Sequence, residues 1–223
     1  MSAKLVIGAS SDILYLMQDT SQLTTVAQWL GAGSINLFGR PFAGKDSQGR
    51  FLIERLGGNL LGGGDILRGT TMPDDIKLAM RSGNLIPSED YVNIVLPYLS
   101  QETLRDKPLI LSSVGRWHGE EQGVINALES SHHPLKSVIY LRLEEEEVIR
   151  RWRVHKNHDD RKGRHDDSEE VLAIRFREFR DKTLPVINFY SHLGLLIEVD
   201  GTKSREEVAK IILEKLYQQA IAA

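Results

Sequence analysis

The sequence predicts an α/β fold, a doubly wound parallel sheet of about five strands flanked by helices. Short apolar runs that favour buried strands alternate with longer segments of helical periodicity along most of the 223 residues. One of these runs is followed at once by a glycine-rich loop and a helical segment, a unit found in parallel sheets. A chain of this length suits one compact domain with small insertions.

The first part of the chain carries no recognisable chemistry. We expect residues 1–33 to form an N-terminal extension of unknown role, with a short strand at 4–8 and a helix within 12–30. Gly31 and Gly33 then break the pattern. The main domain is therefore expected to cover residues 34–223.

Apolar strands and amphipathic helices follow one another through this main domain. The first strand is expected at 35–38, and the first helix begins near Lys45. Uninterrupted apolar runs predict further buried parallel strands at 108–112, 138–143 and 195–199. Helical periodicity predicts helices at 89–99, 119–129, 145–154, 168–193 and 204–222. The acidic run 144–147 is expected at a helix N-terminus, where the helix dipole favours negative charge.

Composition excludes several classes of protein. Hydrophobic residues make up 41% of the chain, which is ample for a core, and the net charge of −3 gives no reason to expect nucleic acid or a membrane as partner. The absence of cysteine excludes disulfides and thiolate zinc sites, and we expect no zinc. No apolar run approaches the ~20 residues that cross a bilayer, and no signal-peptide pattern is present. We expect a cytoplasmic monomer that acts on small molecules.

The glycine-rich loop is the first motif that carries chemistry. A triphosphate needs several N–H donors converging on its oxygens and a cation that can follow it. Gly39 and Gly44 allow the backbone to wrap around a phosphate, and Lys45 supplies the ammonium group. A hydroxyl residue usually follows the lysine, but here Asp46 intervenes before Ser47. The alternative is a glycine-rich turn that contains a lysine by chance.

Residues 41–47, Pro-Phe-Ala-Gly-Lys-Asp-Ser, resemble the phosphate loop of the adenylate kinases, which have one extra residue between the lysine and the hydroxyl residue. Phe42 and Asp46 stand where glycines are usual in that family. Four more motifs continue the resemblance in order to the C-terminus: Gly-Asp-Ile-Leu-Arg at 64–68, Ser-Gly-Asn-Leu-Ile-Pro at 82–87, Gly-Arg-His-Asp-Asp at 163–167 followed by Arg175, and Val-Asp-Gly-Thr-Lys at 199–203.

The resemblance implies a P-loop fold with a helical monophosphate-binding insertion at about 63–93 and a short lid at about 155–165. It also implies reversible transfer of the ATP γ-phosphoryl group to AMP, giving two ADP, with magnesium bound to ATP. A different acceptor, UMP or CMP, stays open at this point. So do two functions of another class, a nucleotide-binding regulator with little turnover and a small-metabolite kinase.

Site residues follow from the same resemblance. Phosphoryl transfer brings many negative charges together. Arginine can neutralise them, because its planar guanidinium group donates two parallel hydrogen bonds to phosphate oxygens. The implied catalytic residues are Lys45, Arg116, Arg164 and Arg175. The implied ATP-binding residues are Phe42, Ala43, Gly44, Lys45, Asp46, Ser47, Arg151, His155 and Lys203. The implied AMP-binding residues are Gly63, Arg68, Asn84, Leu85, Ile86, Ser113, Val114, Gly115, Arg116, Gln122, Arg164 and Arg175.

Magnesium is expected near Ser47 and Asp65, with indirect contact through water. The chain departs from the family here, because Ser112 stands where the family has an aspartate that organises the water around magnesium. Asp46 is an unexpected acid in the phosphate loop. It either replaces part of the missing charge or caps the helix that follows. Gln122 also stands two residues further from Arg116 than the family's adenine-contacting glutamine.

Overall fold

A computed structural model describes residues 20–156 and 168–223, except for the side chains of residues 155 and 156. The predicted strand at 4–8, Arg164 and most of the predicted lid lie outside this range. The described residues form one parallel sheet with helices on both faces. The predicted fold class is therefore confirmed.

The sheet has five strands in the order β2-β3-β1-β4-β5, and every neighbouring pair is parallel. The strands are β1 (Ser34–Gly39), β2 (Asn59–Gly62), β3 (Leu109–Ser112), β4 (Leu135–Arg142) and β5 (Leu196–Asp200). Four of them match predicted strands. The edge strand β2 was not predicted because it is only four residues long, half-buried and bounded by glycines.

One described helix precedes the first strand, and the others lie between or after the strands. They are α1 (20–30), α2 (Lys45–Leu56), α3 (Gly63–Gly69), α4 (Asp74–Arg81), α5 (Ser88–Val95), α6 (Glu121–Ser130), α7 (Glu145–Lys156), α8 (Glu169–Glu178), α9 (Leu184–His192) and α10 (Arg205–Ala222). The acidic residues of 144–147 do begin a helix, as predicted. Among the described residues, no helix is both long and apolar enough to cross a membrane.

The single helix predicted at 168–193 is α8 and α9 joined by a π-helical turn, Phe179–Thr183. The N–H group of Leu184 donates to the carbonyl of Phe179, five residues back. Pro185 has no N–H to offer at the next position, so the regular hydrogen-bond ladder cannot be completed there. Such turns are frequent at functional sites.

Alternating side chains build the core on both faces of the sheet. Ile110 packs on one face with α2 and α10, whereas its neighbours Leu109 and Leu111 pack on the other face with α5 and α6. On the first face, α1 buries Val26 and Leu30, although it lies in the segment expected to be an extension. Helices pack on both faces of the central strands. This packing fixes the carboxyl ends of these parallel strands along the same edge of the sheet.

Candidate nucleotide-binding site

A cleft of about 1210 Å³ opens at the carboxyl edge of the sheet. It is lined by the loops after β1, β3 and β5, by the segment from α3 to α5, and by α7 and α8. Ligands of open parallel sheets bind at this edge. The cleft is larger than the ~300–1,000 Å³ typical of a pocket for one small molecule.

The glycine-rich loop between β1 and α2 lines one end of the cleft. Gly39 is required because an added Cβ would lie 2.9 Å from the carbonyl oxygen of Leu141. Gly44, with φ of 95°, precedes the first residue of α2, so the N-terminus of that helix faces the loop. Lys45 Nζ donates to the carbonyl oxygens of Gly39 (2.7 Å) and Arg40 (2.9 Å). The lysine therefore lies over the loop.

Phe42 adopts φ of 62°, a left-handed conformation that favours glycine, and its position is one where the resembled family has glycine. Its carbonyl oxygen accepts from Arg151 Nη1 at 3.3 Å. Arg151 Nη2 donates to the carbonyl of Gly201 in the turn after β5 (2.6 Å), and its Nε donates to Glu147 Oε1 (2.8 Å). Hydrogen bonds from Arg150 and Arg151 lower the pKa of Glu147 to about 2, so this carboxylate stays ionised and holds Arg151 between the two loops.

Asp46 points to the end of the neighbouring strand. Ser112 Oγ, at the end of β3, donates to Asp46 Oδ1 at 3.0 Å. Over the described residues, no backbone N–H of α2 donates to Asp46, so the capping alternative has no hydrogen bond to support it. The acid of the loop and the serine of the strand form one hydrogen-bonded pair that lines the cleft.

Two arginines come together deeper in the cleft. Arg116 follows β3 and Arg175 lies on α8, close enough for their charges to interact. Burial lowers the pKa of Arg116, and the charge of Arg175 acts in the same direction, while Tyr91, Glu120 and Glu178 oppose both. Two guanidinium groups held together in a partly buried wall favour an anionic ligand.

Arg68 forms an ion pair with Asp65 on the short helix α3. The side chain of Arg68 is 44% exposed and that of Asp65 is 66% exposed. An exposed pair of this kind stabilises the protein by ~0–1 kcal/mol, so a phosphate can displace Asp65 from the arginine at little cost. The expected roles of both residues therefore require this pair to open.

Glu178 connects α8 to the segment between α4 and α5. Its Oε2 accepts from the N–H of Leu85 (3.0 Å) and from Lys182 Nζ (2.5 Å). Lys182 Nζ lies 3.8 Å from the ring centroid of Trp117. Lys182 and Thr183 lie in the π-helical turn, and the Thr183 hydroxyl donates to the carbonyl oxygen of Arg116 at 3.2 Å.

Most of the predicted site residues meet in this cleft. Those that line it are Phe42, Ala43, Gly44, Lys45, Asp46, Ser47, Asp65, Arg68, Asn84, Leu85, Ile86, Arg116, Arg151, Arg175 and Lys203. Gly63, Ser113, Val114 and Gly115 lie behind its wall: Gly63 is packed against the Tyr91 hydroxyl, and the N–H of Gly115 donates to that hydroxyl at 3.1 Å. Arg164 and the side chain of His155 lie outside the described residues.

Gln122 does not line the cleft. It is exposed on α6, where its Nε2 donates to Asn126 Oδ1 at 2.9 Å. Among the lining residues that the sequence analysis did not select are Trp117, Glu120 and Glu178. Glu178 had a usable signal, since it lies three residues after Arg175 and so on the same side of α8.

The chain is similar in sequence to known adenylate kinases. The family model described as adenylate kinase matches residues 37–195. The adenylate kinase of Leptospira biflexa serovar Patoc is 31% identical over 183 residues, covering 80% of this chain and 96% of the relative. The adenylate kinase of Bartonella bacilliformis is 33% identical over 186 residues with the same coverage, and that of Thermus thermophilus is 28% identical over 180 residues, covering 78% and 92%. The chain belongs to the adenylate kinase family.

Proposed function

We propose that the protein catalyses reversible transfer of the γ-phosphoryl group of ATP to AMP, giving two ADP. The observation that carries the proposal is the convergence of Lys45, Arg116 and Arg175 on one cleft with room for two ligands. The phosphate loop and the turn at 199–203 form the ATP end. The segment 63–93 forms the AMP end.

Each residue has a physical task in this reaction. Lys45 and the N–H groups at the start of α2 hold the phosphates of ATP, while Arg116 and Arg175 neutralise the charge that converges between the two nucleotides. Arg151 fixes the spacing of the phosphate loop and the Gly201 turn. No general base is required, because the acceptor is already a phosphate oxygen. We propose that Arg164 and the lid at 155–165 complete the charge set and exclude water.

Magnesium fits the oxygen-bearing residues of the cleft. Among the described residues, no group of three or more His, Asp or Glu side chains is arranged to hold a metal ion. We propose that the ion arrives with the nucleotide phosphates, as Mg²⁺ commonly does. When bound, it supplies positive charge to the β- and γ-phosphates. Ser47, Asp65 and the Asp46–Ser112 pair offer the hard oxygen atoms that magnesium or its water prefers.

Asp46→Gly is expected to raise the magnesium concentration needed for half-maximal rate, because it removes the carboxylate next to Ser112. Adding Ser112→Asp should restore the original requirement by returning one negative charge to the same place. Calorimetry of ATP binding with and without magnesium gives a second measure that does not depend on turnover. Asp74→Asn, an exposed acid on α4, is the matched control. If Asp46→Gly increases the rate at every magnesium concentration, Asp46 has no metal role.

ATP and AMP are the proposed partners, and we propose a cytoplasmic monomer. The net charge of −3 supports small-molecule substrates over nucleic acid. UMP or CMP as acceptor is the second candidate, but the relatives named above are all adenylate kinases. The three cations Lys45, Arg116 and Arg175 argue against a regulator without turnover, because nucleotide binding alone does not require three positive charges around the path of phosphoryl transfer.

The proposal is tested by measuring turnover with ATP and each common nucleoside monophosphate. We expect AMP to give the highest kcat/KM. Higher kcat/KM with UMP or CMP would assign a different acceptor, and no turnover with any acceptor would refute the kinase function.

A further inference from the structure

Arg40 is a largely buried cation that has no task in the proposed reaction. It follows β1 directly, and its side chain is 11% exposed and does not line the cleft. Its Nη1 donates to the carbonyl oxygen of Leu143 at 2.8 Å, and its Nη2 lies 3.5 Å from Glu145 Oε1. Its Nε is buried without a hydrogen-bond partner in the described part of the chain. Because an incompletely paired buried charge is costly, stability alone does not explain an arginine here.

The guanidinium group of Arg40 joins the phosphate loop to the helix that carries Arg175. Its Cζ lies 5.1 Å from the ring centroid of Phe179, and this cation–π contact is shielded from water because Phe179 is only 5% exposed. The N–H group of Phe179 donates to the carbonyl oxygen of Arg175, one helical turn earlier on α8. The same ring stacks on Tyr140 of β4, which fixes its position.

The backbone of Arg40 is the resting place of Lys45. Its carbonyl oxygen accepts from Lys45 Nζ at 2.9 Å and from the N–H group of Ala43 at 3.2 Å. Because the side chain of Arg40 is held at the β4–α7 connection, it also fixes the carbonyl oxygen against which Lys45 lies. Through Phe179 it fixes the distance from this lysine to Arg175.

We propose that Arg40 is a positioning residue that sets the spacing between the phosphate loop and Arg175. It thereby aligns Lys45 and Arg175, the two cations that act on the transferred phosphoryl group. The inference rests on the proposed kinase function and adds a residue that contacts neither nucleotide. A displacement of about 1 Å in a preorganised site can lower the rate by ~10²-fold. Loss of the Arg40 side chain should therefore reduce kcat more than it weakens binding of ATP or AMP.

The test is the steady-state kinetics of Arg40→Met, in which methionine keeps a flexible apolar stem and removes the guanidinium group. We expect kcat to fall by roughly 10- to 10²-fold, while each KM changes by less than about threefold. In an Arg175→Ala background the same substitution should lower kcat by at most about threefold, because the arginine that it aligns is gone. Arg40→Lys keeps a charge without the planar fork and should give a kcat between those of Arg40→Met and the wild-type protein.

Arg180→Met is the matched control for loss of a charge beside Glu145. Arg180 Nη1 lies 3.9 Å from Glu145 Oε1, but its side chain is 57% exposed and does not line the cleft. This variant should keep the wild-type kcat. Thermal unfolding checks the folding of every variant, and Arg40→Lys carries the same comparison if Arg40→Met is unfolded.

Amide hydrogen exchange, followed by NMR, gives a readout that does not depend on turnover. The amide of Ala43 donates to the carbonyl of Arg40, and the amide of Leu184 donates to that of Phe179. Arg40→Met should accelerate exchange at both amides by about threefold or more, because it removes the contact that joins the two segments. Arg180→Met should leave exchange at Ala43 unchanged.

Three kinetic results would overturn the proposal: an unchanged kcat in Arg40→Met, a raised KM at unchanged kcat, and a full repeat of the kcat loss in the Arg175→Ala background. The last of these, with a lower unfolding temperature, is what a purely structural role predicts. Unchanged exchange at Ala43 or Leu184 would also overturn it. Absence of turnover in the wild-type protein would instead refute the kinase function, and the exchange rates would still decide whether Arg40 joins the loop to α8.

Discussion

Lys45→Met is expected to abolish measurable turnover while the protein stays folded. The lysine ammonium lies over the phosphate loop, bonded to the carbonyls of Gly39 and Arg40, where the triphosphate of ATP is expected. Removing one preorganised charge donor commonly lowers kcat by ~10²–10³-fold. The measurement is a coupled assay of ADP formation, with thermal unfolding as the check on folding.

Lys215→Met, an exposed lysine on α10, is the control for loss of a positive charge and should keep wild-type activity. Near-normal activity of Lys45→Met would show that the loop does not hold the transferred phosphates. Equal loss of activity in both variants would show a general effect of charge.

Arg175→Ala should lower kcat more than it weakens ATP binding. Its proposed partners are charges that meet only during transfer, and stabilisation confined to the transition state appears in kcat. The loss is expected at ~10²–10³-fold, as for other preorganised donors. Steady-state kinetics with AMP and ATP varied in turn separate kcat from each KM.

Arg177→Ala is the matched control, because Arg177 lies on the same helix two residues after Arg175 and its side chain is exposed. It should change neither kcat nor KM. An unchanged kcat with a raised KM for ATP in Arg175→Ala would assign that arginine to ordinary ground-state binding and contradict the bridging role.

The sheet could be predicted where strands are fully buried. β1, β3 and most of β4 have short apolar runs because helices cover both of their faces. β5 is also an edge strand and is only partly buried, but residues 195–199 still form a run that is apolar apart from Glu198. β2 lies at the edge, is short and half-buried, and so leaves no such run in the sequence. The π-helical turn at Phe179–Thr183 was also missed, since a proline in a helical pattern indicates a disturbance but not its form.

The cleft was predicted well where a local motif carries the chemistry, as in the phosphate loop. It was predicted poorly where the site depends on packing between distant segments. The hydrogen bond from Ser112 to Asp46 joins residues 66 positions apart, and Leu85 and Glu178 are 93 positions apart. Gln122 was chosen by its resemblance to a family glutamine, but its side chain is exposed on α6 and does not line the cleft.

The central claim is that ATP and AMP exchange a phosphoryl group inside one cleft. Phosphorus NMR of the two nucleotides with magnesium and the purified protein tests it most directly. We predict that the β-phosphate signal of ATP declines only when AMP is present, and that two ADP form for each ATP consumed, without inorganic phosphate. Accumulation of inorganic phosphate, or an unchanged ATP signal in the presence of AMP, would contradict the claim.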